Sequence, residues 1–514
     1  MQRIHHAGRA VSAALALLLC ITLLLLSACG GGGGGTTAST GTTSAMATPT
    51  PAVTPPVASA PPVPTVSLAL APASITTAQS TQLSWTSANA TSCSASGAWS
   101  GSQATSGTLT IATPAAGSYS YALACSGAGG SASGAATLTV SAVLSNSTTL
   151  LIDNGPSGAK GAINVPYVSV TVCRPGTSTC QTIDHVLVDT GSFGLRLLAS
   201  SLSSTLALPA VQTPSGADAG ECGQFVSGYT WGAVRQADIR IADEAAAAQS
   251  IQVIGDSGAN YASTPSSCSS AGSNIGTLAA LGAKGILGLG LLKQDCGSAC
   301  ARAAVSGAYY ACSGGTCNAS SMPLATQVSN PVASFAKNNN GVLLVLPAVG
   351  AAGATSLSGS LIFGVGTQSN NAIAGETVFK ANSSGDFSTT YQGRTYSASF
   401  IDSGSNGYFF NDSSQRACSG GSGFYCPTST QTLSATNAAW DGSSSGTVSF
   451  SIVNADNLGA SISAAQIGGT LNSGSSTALG NAFDWGLPFF YGRRVFIVLE
   501  GSSSANGAGP YWAY

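Results

Sequence analysis

The sequence predicts an all-β protein: a small β-sandwich followed by a larger β-domain made of two related halves. Three observations predict it. Charged residues are only 7% of 514 positions and Gly reaches 65, a composition that suits short strands and frequent turns rather than salt-bridged helices. Apolar residues alternate with small polar ones in short runs bounded by Gly, Ser and Pro. An apolar strand that delivers Asp-Thr/Ser-Gly-Ser into a turn occurs twice, at His185–Ser192 and Ser399–Ser405, and each copy is followed about 80 to 100 positions later by an apolar-plus-Gly segment.

The elements follow in order from the N-terminus. Arg3 and Arg9 precede an apolar run from Ala10 to Ala28 that ends in Leu26-Ser27-Ala28-Cys29, so residues 1–29 read as an export signal. That ending resembles a bacterial lipobox. The resemblance implies that Cys29 becomes the acylated first mature residue. Gly30 behind it implies an outer-membrane lipoprotein facing the periplasm or the cell surface. Residues 30–64 are Gly, Thr, Ala and Pro with almost no large apolar side chain, which predicts a disordered tether. A net charge of −2 and the lack of any Lys/Arg cluster in the mature part argue against nucleic acid. Membrane contact is expected through the lipid alone.

Residues 65–142 carry five alternating runs, at Val66–Leu70, Gln82–Trp85, Thr108–Ile111, Tyr119–Leu123 and Thr137–Val140, which predict a small β-sandwich. The stretches Ser84-Trp85-Thr86-Ser87 and Ala124-Cys125-Ser126-Gly127 resemble the Ig-like modules of bacterial surface proteins. That resemblance implies a spacer, with an adhesive or ligand-binding domain as the lesser alternative.

Export decides how the 14 cysteines are read, since thiols in an oxidising compartment usually pair. Without Cys20 in the signal and Cys29 as lipid site, twelve remain. Close spacing suggests Cys173–Cys180, Cys418–Cys426, Cys93–Cys125 and Cys222–Cys268, while Cys296, Cys300, Cys312 and Cys317 supply two more bridges in a pairing left open. A zinc site in that last group is the lesser alternative.

Residues 146–514 form the large domain, with one half at about 146–328 and the other at about 329–514. Each aspartate motif is flanked by apolar residues, Phe193-Gly194-Leu195 after the first and Tyr408-Phe409-Phe410 after the second, so Asp189 and Asp402 are expected at buried strand ends. A carboxylate there is costly unless paired, hydrogen-bonded or used. Two carboxyls sharing one proton supply both the base that activates a water and the acid that polarises a carbonyl. Gly191 and Gly404 let the backbone approach the carboxyls, Thr190 and Ser403 are placed to lock the turns together, and Ser192 and Ser405 complete the two supporting loops.

These motifs resemble those of pepsin-like aspartic peptidases over most of residues 146–514. Gly285-Ile286-Leu287-Gly288-Leu289 is similar to the segment that threads behind the first catalytic loop in that family. Ser358–Gly364 resembles the strand that opens the second lobe, and Trp485–Tyr491 through Val495–Val498 resembles its C-terminal hairpin. The whole also resembles bacterial lipoproteins grouped only as a domain of unknown function. The peptidase resemblance implies a bilobal double-β-barrel fold, a peptide or protein substrate, Asp189 and Asp402 as the catalytic pair, and no metal or organic cofactor. It also implies a flap hairpin, in which Phe225 takes the place of the family's Tyr, with Tyr229 and Trp231 nearby at the tip. Arg196 stands seven residues after Asp189, where the family has the Trp that bonds that Tyr. Asp484 takes a place usually apolar, and is expected to be a structural carboxylate rather than a perturbation of the pair.

Rival chemistries fare poorly. His185 is the one histidine beyond the signal, and four residues along a strand separate it from Asp189 by about 13 Å, beyond the reach of a triad. Gly282-Ala283-Lys284-Gly285 lacks the Lys-Ser/Thr pair of a phosphate-binding loop. A glycoside hydrolase would set its carboxyls about 5 to 9.5 Å apart and present aromatic platforms, which 7% aromatics do not encourage. The reading that emerges is a membrane-anchored aspartic endopeptidase; the alternative is a catalytically inactive pepsin-like binding or adhesion module.

Overall fold

The computed structural model describes residues 59–514 apart from 78, 113, 142–144, 460–461 and 472–478. The expected signal peptide with Cys29, and nearly all of the tether, lie outside the described residues. The chain divides into two compact units at residues 143 and 144, each taken here by itself. Among the described residues no helix is long and apolar enough to cross a membrane.

The smaller unit is a two-sheet sandwich. One sheet holds Thr65–Ala71, Thr81–Ala88 and Ser106–Ile111; the other runs Ser74–Thr76, Gly130–Ser141, Gly117–Gly127, Ser92–Gly97, Gly101–Gln103. Alternate residues point inward, so Leu83, Trp85, Leu123 and Leu138 are buried while their neighbours are not. Trp85 meets Trp99 edge to face at 5.1 Å above the Cys93–Cys125 disulfide. The expectation of five strands undercounts. Ser74–Thr76, Ser92–Gly97 and Gly101–Gln103 carry almost no large apolar residue, and backbone pairing such as Cys93 opposite Cys125 holds them in place.

In the larger unit the strand Cys180–Asp189 begins half exposed and ends fully buried. It pairs antiparallel with Pro166–Cys173, where Cys173 faces Cys180 across a disulfide. After the turn at Asp189 the chain returns as Phe193–Leu198, and Gly285–Leu289 lies between the two. This inserted strand runs parallel to the first, with Asp189 opposite Gly288, and antiparallel to the second, with Gly194 opposite Gly288. Burial on both sides explains the unbroken apolar run Val186-Leu187-Val188.

The second half repeats the device. Asp484–Gly486 lies between Arg394–Asp402 and Tyr408–Phe409, parallel to the former with Asp402 opposite Gly486. Gly288 and Gly486 are thus equivalent, and the crowding demands glycine at both. A Cβ on Gly288 would lie 2.5 Å from the Phe193 amide nitrogen, and one on Gly486 would lie 2.1 Å from the Gly407 oxygen. An aromatic cluster of Phe410, Phe450, Phe483 and Trp485 fills the space behind the second aspartate, with Phe410 stacked on Phe483 at 4.8 Å.

The halves share one continuous sheet. Ser147–Ile152 pairs with Pro166–Cys173 of its own half and, over six positions, with Leu357–Phe363 of the other. The strand expected to open the second half at Ser358 is itself preceded by Gly341–Val345, its antiparallel neighbour. With α-helices of only four or five residues among the described ones, the chain is all-β, and its larger unit repeats one strand-and-turn arrangement in two halves.

Candidate active site

The two strand-to-turn junctions bring Asp189 and Asp402 together. Both are buried, and their carboxyls hydrogen-bond one another. Each is held by its own turn in the same way. Asp189 Oδ1 accepts from the Gly191 amide at 2.8 Å and Oδ2 from the Ser192 hydroxyl at 2.6 Å. Asp402 Oδ1 accepts from the Gly404 amide at 2.7 Å and Oδ2 from the Ser405 hydroxyl at 3.1 Å. Gly191 is required by the second carboxyl: a Cβ there would lie 2.5 Å from Asp402 Cγ.

Thr190 and Ser403 lock the turns. The Thr190 amide donates to Ser403 Oγ at 3.1 Å and the Ser403 amide to Thr190 Oγ1 at 2.9 Å. The Thr190 hydroxyl donates to the Ile401 carbonyl at 2.9 Å, and the Ser403 hydroxyl to the Val188 carbonyl at 2.7 Å.

The electrostatics of the pair are unequal. Burial pushes the Asp189 carboxyl up to about 7, and the neighbouring Asp402 adds to the shift. Burial acts against ionisation of Asp402 as well, while the hydrogen bonds it receives from Asp189 and from the Gly404 amide favour its charge. One proton therefore serves two carboxyls, and the titration belongs to the pair.

A hairpin of Asp218–Phe225 and Gly228–Ile241 stands where a flap is expected, with Val226 and Ser227 as its turn and Val226 40% exposed. Phe225 is at the tip and packs with Tyr167, Leu187 and Ile286. Tyr229 and Trp231 do not join it. Because Phe225 pairs with Gly228, strand alternation turns Tyr229 and Trp231 to the other face, where they pack on Tyr261, Tyr310 and the Cys222–Cys268 disulfide. Trp231 Nε1 donates to the Tyr261 carbonyl at 3.0 Å, which makes it a packing residue.

Arg196 explains what replaces the family's Trp. Its guanidinium is 2% exposed and pairs with Glu221 on the ascending flap strand and with Asp295, the latter at 3.1 Å. It also donates to the Phe193 carbonyl at 2.7 Å and lies 6.0 Å from the centre of the Phe225 ring. Asp295 accepts from the Tyr309 hydroxyl at 2.6 Å, and the Val328 amide donates to that hydroxyl. Burial, with Glu221 beside it, raises the Asp295 carboxyl well above its usual range. Sequence reasoning missed Glu221 and Asp295. Their surroundings gave little signal, since Lys293-Gln294 precedes Asp295 and Asp218 stands three residues before Glu221.

Asp484 departs from the expectation of a purely structural group. Its Oδ2 lies 2.5 Å from Ser405 Oγ, within hydrogen-bond distance and one step from Asp402. His185 is remote from the pair's chemistry: its ring bonds Asp184 at 2.8 Å and Asp153 at 3.2 Å and meets Tyr167 edge to face. All twelve cysteines expected to pair do so, and the four of open pairing join as Cys296–Cys300 and Cys312–Cys317, which occupies the sulfurs a zinc site would need. The remaining bridge is Cys418–Cys426. A cavity of about 720 Å³ near Glu376, Arg493, Arg494 and Tyr514 contains neither aspartate.

A family model described as "Protein of unknown function (DUF3443)" matches residues 142–514. Among solved structures, the aspartic proteinase from Irpex lacteus is similar at 17% identity, over 71% of this chain and 96% of that chain, with a TM-score of 0.38. No curated protein matches the chain.

Proposed function

The chain belongs to the DUF3443 family through residues 142–514, and we propose that it is an aspartic endopeptidase acting on extended peptide segments. One observation carries this reading. Two buried, mutually hydrogen-bonded aspartates are each held by a glycine amide and a serine hydroxyl from related turns. Such a pair can hold one proton between two carboxyls, as the reaction requires. Asp402, the ionised member, takes a proton from the attacking water. Asp189 gives its proton to the carbonyl oxygen of the scissile bond, and the resulting tetrahedral diol collapses with proton return to the leaving amine.

The flap hairpin supports a site that excludes water over the pair, with Phe225 in place of a hydrogen-bonding Tyr. The same proposal includes an outer-membrane lipoprotein anchored through Cys29, with residues 65–142 as an Ig-like spacer. The lipobox-like Leu26-Ser27-Ala28-Cys29 supports the anchor. The Cys93–Cys125 bridge inside a two-sheet unit supports the module.

The test is cleavage of an unfolded protein by the purified chain across pH 3 to 8, beside Asp189→Asn and Asp402→Asn variants shown to be folded. Cleavage abolished by both substitutions is the expected result. A well-folded chain that cleaves nothing at any pH would overturn the peptidase and favour the inactive binding module.

A further inference from the structure

The two halves build their aspartate turns alike, but one difference lies directly behind the second. The register that sets Asp189 opposite Gly288 sets Leu187 opposite Ile286, and the matching register sets Phe400 opposite Asp484. Ile286 and Asp484 are therefore equivalent positions. In the first half Ser192 donates to Asp189 with an alkyl group at that position, whereas in the second half Ser405 lies between two carboxyls.

Ser405 has a single proton. Its oxygen lies 3.1 Å from Asp402 Oδ2 and 2.5 Å from Asp484 Oδ2, so both contacts are hydrogen bonds only if one of the carboxyls carries a proton of its own. The surroundings decide which. Asp402 also accepts from the Gly404 amide, a donor that favours its charge. Asp484 is buried, and its second oxygen, Oδ1, has no hydrogen-bond partner among the described residues. A charge there would be uncompensated. Burial accordingly holds its carboxyl well above the usual range, and the nearby Asp402 adds to the effect.

We propose that Asp484 is a third, positioning carboxyl of the site: held neutral, it donates through the Ser405 hydroxyl and keeps Asp402 the ionised member of the pair. The chain of donors runs from the Asp484 hydroxyl to Ser405 Oγ and from the Ser405 hydroxyl to Asp402 Oδ2. No proton leaves the chain and no bond other than hydrogen bonds is remade. Asymmetry follows from it, since Ser192 donates to the first aspartate with no carboxyl behind it, and that aspartate is left as the proton holder.

The other titratable groups on the flanking strands are engaged elsewhere. Arg394 donates to the Gly480 carbonyl, Tyr396 donates to the Asn411 carbonyl, and Tyr408 is bonded by Arg493. Among the described residues, the charges acting on Asp484 are those of Asp402 and, more weakly, Asp189.

The inference rests on the peptidase reading only for its effect on cleavage, so the test reads the carboxyls directly. The full chain is labelled with 13C at the aspartate carboxyls and titrated by NMR from pH 2 to 8 as wild type, Asp484→Ile and Asp484→Asn, with Asp402→Asn for assignment. Asp484 is expected to remain protonated after Asp402 has ionised. In Asp484→Ile, which installs the side chain of the other half, the Asp402 midpoint should rise by about one pH unit. Asp484→Asn keeps a donor toward Ser405 and should restore the midpoint.

If the chain cleaves peptide, the acid limb of kcat/KM should move by the same amount in Asp484→Ile. That is about a tenfold loss at pH below the limb, with KM little changed. An Asp402 midpoint equal in wild type and Asp484→Ile would overturn the proposal. So would an Asp484 that titrates as an ordinary carboxyl in wild type, a readout that needs no variant to fold. Coupled titrations in a chain that cleaves nothing would overturn the peptidase reading and leave this one standing; cleavage without coupling would do the reverse.

Discussion

The Thr190 and Ser403 hydroxyls clasp the halves of the larger unit reciprocally, each accepting from the other's amide and each donating to a carbonyl on the other's strand. All four bonds are buried, so the relative position of Asp189 and Asp402 is set by backbone groups one residue away rather than by the carboxyls themselves.

Removing one hydroxyl strands an amide and a carbonyl away from water, at about 1 to 3 kcal/mol for each group left without a partner. Thr190→Ala and Ser403→Ala should each lower the unfolding free energy by about 2 to 4 kcal/mol, measured by urea titration. Thr190→Ser, which keeps the hydroxyl, should lose far less. The double alanine variant removes all four bonds, two per hydroxyl, and the departure of its cost from the sum measures how strongly the two turns are coupled.

Arg196 should behave as a buried ion-network residue. Arg196→Ala leaves Glu221 and Asp295 facing each other without their cation, and should destabilise the larger unit by about 3 to 5 kcal/mol in chemical denaturation. Since Glu221 belongs to the ascending flap strand, hydrogen exchange of Asp218–Ile241 should accelerate more than that of Arg394–Asp402. Equal acceleration in both would mean that the network does not anchor the hairpin.

The pH dependence has a definite sign. Asp189, Asp295 and Asp484 all have carboxyls raised in the folded chain, so each favours the native state fully below the ordinary aspartate value and loses that contribution as pH rises through its raised value. For Asp189 that loss is complete just above pH 7. Thermal unfolding should therefore occur at lower temperature at pH 8 than at pH 5. Asp189→Asn should unfold at higher temperature than wild type at pH 8 while cleaving nothing. Cleavage by the wild type should fall as pH climbs through about 7, when the shared proton is lost.

Lipid attachment can be checked separately. Expressed in a Gram-negative host with labelled fatty acid, the wild type should carry label and sediment with membranes, whereas Cys29→Ser should carry none and appear in the soluble fraction. Label on the Cys29→Ser chain would exclude this anchor.

Much of the site was legible because its parts are local. Asp-Thr-Gly-Ser and Asp-Ser-Gly-Ser contain the carboxyl, its amide donor, its hydroxyl donor and the clasp within four residues, and the inserted strands announce themselves as apolar runs with glycine. Disulfides with close spacing were legible for the same reason. The Arg196 network was not, since Glu221 lies 25 positions and Asp295 99 positions from the arginine, and no periodicity links them. The orientation of Tyr229 and Trp231 depended on a two-residue turn at Val226-Ser227, because one residue more or less reverses every face of the strand. In the smaller unit, Ser92–Gly97 is a strand whose alternation, Cys93 and Ala95 between serines, carries no large apolar residue to reveal it.

The pairing of Ser147–Ile152 with Leu357–Phe363 bears on ancestry. Two halves with the same aspartate turn and the same inserted strand look like copies of one ancestral gene segment, yet neither is now self-sufficient. A polypeptide beginning at residue 329 would expose Leu357–Phe363 as an uncovered edge carrying Leu361 and Phe363, a template for aggregation. The copies lend each other a strand, so parting them would leave that edge bare.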